Sequence, residues 1–95
     1  MKSLLNTEKG TCYICGRYGQ THKHHIFGGP NRSHSEREGL YVYLCPMCHN
    51  IGRNSVHMNP GANRWLQKEG QMAFETVHTR KDFMDIFGKN YIAEE

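Results

Sequence analysis

Ninety-five residues, a net charge of +3, 37% hydrophobic residues and a mean hydropathy of −0.76 describe one small, polar domain. No apolar run approaches the ~18 residues of a membrane span. The opening Met1-Lys2-Ser3-Leu4-Leu5-Asn6 lacks the apolar stretch of a signal peptide, so a cytoplasmic protein without membrane contact is expected. The charge is uneven: residues 1–68 hold nine Lys and Arg against three Asp and Glu, and residues 69–95 hold three against six. That split is the footprint of a polyanion partner, or simply of an unevenly charged solvated surface.

In chain order, residues 1–11 read as a weakly ordered lead-in. Cys12-Tyr13-Ile14-Cys15-Gly16 is a metal knuckle whose trailing glycine suits a tight turn. Thr21 to Phe27 reads as a short strand, broken by Gly28-Gly29-Pro30-Asn31, and residues 28–39 as a loop. Leu40-Tyr41-Val42-Tyr43-Leu44 is a second strand with Leu40, Val42 and Leu44 on one face. Cys45-Pro46-Met47-Cys48-His49 is a second knuckle running into a helix, with proline just inside its start, to about Val56 or His57. Asn59-Pro60-Gly61 reads as a stop. Ala62 to Lys68 is a short helix interrupted at Gly70, and Gln71 to Val77 another. Thr79 and Asp82 form a capping box that opens a last helix. Its Phe83, Ile86 and Phe87 share a core stripe, and Gly88 ends it.

The two knuckles use all four cysteines, with twenty-nine residues between the pairs. Two C-x-x-C pairs complete a tetrahedral site, so Cys12, Cys15, Cys45 and Cys48 are expected to hold one structural Zn²⁺. C-x-x-C pairs without an export signal favour metal over disulfides. A core this small is marginal, and a zinc ion contributes folding energy directly. Knuckle, hairpin, knuckle and helix, with further helices packed around them, predict an α+β fold: a zinc-bound treble clef, or ββα-metal module, over about 12–57 with a helical extension over about 62–91.

His24 and His25 in the first strand and His49 directly after Cys48 remain once the cysteines are assigned. Neutral imidazole is both a metal ligand and a general base near neutral pH. Neighbours in a regular strand point to opposite faces, so His24 and His25 converge only where the strand is irregular. His22, His34, His57 and His78 read as structural or surface residues.

Cys12-x-x-Cys15, then His24-His25-Ile26, then Leu44-Cys45-x-x-Cys48-His49-Asn50 resembles the HNH, or ββα-metal (His-Me finger), endonucleases, particularly the small phage proteins whose motif reads H-H-I. The match covers roughly residues 12–57. By that resemblance His25 is the general base that activates water, and His24 and His49 ligate a catalytic divalent ion. The cysteines form a separate structural site. The middle Asn of the motif has no counterpart at the expected place, which is Leu40; Asn31 is a substitute with different spacing, and a backbone carbonyl can instead hold the other ring nitrogen of His25.

The chemistry agrees with the resemblance. Phosphodiester cleavage needs an activated water, a cation for the leaving oxygen and positive charge for the phosphate. Two protein ligands leave an ion open, which suits Mg²⁺, while the imidazoles would also bind Mn²⁺, Ni²⁺ or Zn²⁺. Arg53, four residues after His49, is one helical turn on, and Lys23, Arg32 and Arg37 would contact DNA phosphates further out. No sequence-reading module is attached, which leaves targeting to a partner protein. The rival reading is a non-catalytic treble-clef module that binds nucleic acid or protein through its basic face; only the enzyme needs His25 as a base and a second, exchangeable ion.

Overall fold

In the computed structural model, which describes residues 2–92, the chain forms β1 (His22–His25), α1 (Arg32–Glu38), β2 (Tyr41–Leu44), α2 (Pro60–Phe74) and α3 (Arg80–Phe87). Residue 1 and residues 93–95, the ends of the single domain expected over 1–95, lie outside the described residues. A 3-10 turn at Gly29–Asn31 precedes α1, and a π-helical turn at Met47–Ile51 follows β2. The architecture is a small α+β fold around one antiparallel two-stranded sheet.

The strands pair His22 with Leu44, Lys23 with Tyr43, His24 with Val42 and His25 with Tyr41. Strand alternation therefore puts His22 and His24 on the face of Val42 and Leu44, and Lys23 and His25 on the other. Leu40, Val42 and Leu44 are fully buried, as their pattern predicts. The core also includes Leu5, Cys12, Cys45, Ile26, Val56, Leu66, Phe74 and an aromatic cluster in which Phe27 meets Phe83, Phe87 and Tyr91. In α3 the Thr79 hydroxyl accepts from the Asp82 N–H and Asp82 accepts from the Thr79 N–H, and Gly88 closes the helix at φ 79°.

Four expectations need correction. The lead-in is packed: Leu5 is buried, Ser3 Oγ donates to the Tyr41 carbonyl at 2.7 Å, and Leu4 N donates to the Gly39 carbonyl. Within 28–39 lies α1, too short to show a hydrophobic period. Tertiary bonds hold it, because buried Ser35 donates Oγ to the Phe27 carbonyl and accepts from the Phe27 N–H. Asn59-Pro60-Gly61 starts a helix and does not stop one. Asn59 Oδ1 accepts from the N–H groups of Gly61 and Ala62, and Pro60 takes the first helical position. Helix α2 then runs unbroken through Gly70, where a Cβ would sit 3.1 Å from Ile26 and 3.3 Å from the Phe27 ring. Gly70 is a point of close packing and not a break.

The fourth correction shapes the site. No helix runs from Cys45 to His57. The π turn ends at Gly52, whose backbone is extended and whose N–H returns to the Met47 carbonyl. A Cβ at Gly52 would lie 2.6 Å from that carbonyl oxygen, so glycine alone closes the turn. The chain then doubles back: Val56 N donates to the Cys48 carbonyl at 2.9 Å, and His57 N to the His49 carbonyl at 3.2 Å.

Candidate metal centres

Cys12 and Cys15 sit on a turn tied by Cys12 N to the Arg17 carbonyl and by the Thr11–Tyr18 bridge, with Gly16 at φ 78°. Cys45 directly follows β2 and Cys48 lies in the π turn, with His49 N donating to the Cys45 carbonyl. The four sulfurs lie within 4.8 Å of one another. Cys15 Sγ and Cys45 Sγ are 3.7 Å apart, close to the edge of about 3.8 Å that a tetrahedron of ~2.3 Å zinc–sulfur bonds requires. Burial opposes ionisation of Cys12, but backbone hydrogen bonds from Cys15, Cys45 and Ile14 outweigh it and bring the thiol down to about 6. Cys48 is pushed up, first by burial and then by its bonds to the other three sulfurs. A first thiolate is thus favoured and a last one penalised, a conflict that a divalent cation relieves. The cluster suits a structural metal such as zinc.

A second group lies one residue on. Ligand atoms of His24, His49 and His57 fall within 4.8 Å of one another. His49 Nε2 approaches His57 Nε2 at 3.1 Å, and the His24 ring stands edge-on to both. His24 is 8% exposed, and its Nε2 is, among the described residues, the buried side-chain nitrogen or oxygen without a hydrogen-bond partner. Burial, then His49, His57 and His25, bring His24 down to about 4. His49 is lowered as well, by burial first and then by His57 and His22. Neutral imidazoles with converging nitrogens, one of them orphaned, fit a cation. A set of three imidazoles suits Zn²⁺, Ni²⁺ or Mn²⁺ better than the Mg²⁺ expected for two ligands, because Mg²⁺ prefers oxygen.

His24 and His49 were expected to share an ion and His57 to be a structural or surface residue; the structure places all three rings together. In the expected helix, eight residues would have set His57 about 12 Å along the axis from His49, out of reach of a common ion. The reversal after Gly52 brings it back. Gly52 itself was the available signal, since it interrupts the helical stretch.

His25 points to the opposite face, as alternation requires. Its Nε2 donates to Glu36 Oε1 at 2.7 Å, and its Nδ1 accepts from Arg32 Nε at 3.3 Å. Glu36 is held low, first by the His25 bond and then by Lys23, whose Nζ lies 3.2 Å from both carboxylate oxygens. The ring is therefore held by a carboxylate from α1 and not by a backbone carbonyl. Asn31 is occupied elsewhere, with Oδ1 on His34 Nδ1 and Nδ2 on the Phe87 carbonyl. Ser35, through the Phe27 N–H and carbonyl, ties down the segment after β1.

β1 pairs with β2 on one side only, and His24, His25, His49 and His57 all line one groove of about 490 Å³, in the size range of ligand clefts. Lys23 and Arg32 border it; Arg37 and Arg53 do not. Arg37 pairs with Glu38 at 3.1 Å. Arg53 lies beyond the extended Gly52, so the helical spacing from His49 does not apply. His78 is exposed and stacks on Phe74. In comparisons with known proteins, the chain matches no family model, and no curated protein and no solved structure matches it significantly.

Proposed function

We propose that the chain is a metal-dependent endonuclease of the HNH type that hydrolyses phosphodiester bonds in DNA. The observation that carries this reading is the orphaned, buried Nε2 of His24 within a three-imidazole cluster, bordering the same groove as a carboxylate-held His25. In the same reading the Cys12–Cys15 turn, the β1–β2 pair and the Cys45–Cys48 turn form a treble clef, with the π turn where such a module carries its helix.

Each residue then has a task. His25 offers Nδ1 to an incoming water and takes its proton, while Glu36 accepts the Nε2 hydrogen bond and stabilises the charge that develops on the ring. Arg32 is exposed and presently donates to that same Nδ1; a phosphate oxygen is the better acceptor, and turning to it frees His25. His24, His49 and His57 would hold the second ion. When bound, that ion supplies positive charge for the phosphate and the leaving oxygen. Lys23 is already paired with Glu36 and mainly sets the position of the carboxylate.

The test is cleavage of supercoiled plasmid with Mn²⁺, Ni²⁺, Zn²⁺ or Mg²⁺ across a concentration series. His25→Ala is expected to lose about 10²–10⁴-fold in rate with zinc content unchanged. His24→Ala, His49→Ala and His57→Ala are expected to be partly rescued by excess ion, because mass action offsets a missing ligand but not a missing base. Wild-type cleavage by His25→Ala would remove the role given to His25, and no cleavage by the wild type with any of the ions would remove the nuclease reading and leave a binding module.

A further inference from the structure

Both ring nitrogens of His49 are engaged. Nε2 faces His57 within the three-imidazole group, and Nδ1 lies 3.0 Å from Nδ1 of His22. His22 does not belong to the group whose ligand atoms share a common point. It stands behind His49, on the same face of β1 as His24, with the two rings edge-on at 5.0 Å. We propose that His22 is the positioning residue of the imidazole site, fixing the tautomer and orientation of His49 through the Nδ1–Nδ1 hydrogen bond.

Proton placement decides what this contact can do. A neutral imidazole carries one N–H, and an Nδ1–Nδ1 contact is a hydrogen bond only if one ring donates and the other accepts. His49 can offer a lone pair at Nε2 only when its proton is on Nδ1. It then donates to His22 Nδ1, and the His22 proton sits on its own Nε2. A ring held in this way is pre-set for an ion, whereas a free ring divides its time between tautomers and rotamers. Histidines that ligate metals usually donate the second nitrogen to a carboxylate, a carbonyl or water. Here another imidazole occupies that place, and it adds no charge beside the cluster when neutral.

This inference rests on the reading that His24, His49 and His57 hold an ion, and the experiment separates the two. Ni²⁺ is titrated calorimetrically into zinc-loaded wild type, His24→Ala, His22→Leu and His22→Gln, each checked for fold and zinc content. His22→Leu keeps bulk but removes the acceptor and is expected to weaken Ni²⁺ about 10–100-fold. His22→Gln supplies an acceptor oxygen and is expected to recover most of that loss. Equal losses in the two variants would show a packing role and overturn the proposal, as would a His22→Leu affinity equal to wild type. If wild type takes up no Ni²⁺ that His24→Ala abolishes, the ion-site reading fails and this one with it. A second readout needs no variant. Nitrogen-15 NMR of the ion-free rings is expected to show His49 protonated at Nδ1 and His22 at Nε2, and the reverse assignment would overturn the proposal.

Discussion

Glu36 shows how much a single side chain on a short helix can decide. It binds His25 at 2.7 Å and Lys23 at 3.2 Å through one carboxylate, so α1 reaches across to set the ring that faces the groove. Glu36 is 45% exposed, which softens its electrostatic effect. A hydrogen bond to a group that becomes charged is nevertheless worth more than a neutral one. Glu36→Ala is expected to lower cleavage about tenfold, and Glu36→Gln, which keeps an acceptor oxygen, by less. Single-turnover rates on plasmid check this; equal rates for wild type and Glu36→Ala would leave His25 to orient itself. Neither Glu36 nor His57 was legible as part of the site, because each depends on a piece of structure with no periodic trace: a seven-residue helix for one and a glycine-closed reversal for the other.

At the scale of elements, α2 begins three residues after His57, which is laid beside His49, and Asn59 makes the join. Its side chain accepts two N–H groups of the first turn at 2.9 and 3.1 Å. Asn59→Ala is expected to cost about 1 kcal/mol, seen as a lowered denaturation midpoint with an unchanged slope. An unaltered midpoint would mean that packing by Leu66 and Phe74 alone holds the helix. The same tripeptide explains one misreading. Asn, Pro and Gly all break a preceding helix, but Asn before Pro is also an N-cap before a first-turn residue, and only the buried face that follows decides between them. The apolar face of β2 and the Thr79–Asp82 and Gly88 signals of α3 were legible because each is local. Gly70 was not, because its reason lies across the core in Ile26 and Phe27.

The whole molecule has a radius of gyration of 12.8 Å, near the ~12 Å expected for a compact chain of this length. No helix among the described residues is long and apolar enough to cross a membrane. Its core draws on Cys12 and Cys45 as well as on aromatic and aliphatic side chains, so the cysteine cluster and the core are one body. Removing zinc with a strong chelator is therefore expected to abolish cooperative thermal unfolding, and Cys12→Ser to do the same. A native melt in protein shown by elemental analysis to be zinc-free would contradict this. Any ion held by His24, His49 and His57 is expected to leave first as chelator is added, with the fold intact.

Cys48 and His49 are consecutive residues, yet they belong to different clusters. Their Cα atoms are ~3.8 Å apart across one rigid peptide plane. A shift of the Cys48 backbone is therefore shared by His49, damped by the torsions between sulfur and ring. A larger thiophilic ion in the cysteine cage would lengthen its bonds and is expected to shift His49, with His57 hydrogen-bonded to its carbonyl, relative to His24, which is anchored on β1. The two clusters share one backbone joint, so a change of ion at the cysteines is expected to be felt at the imidazoles.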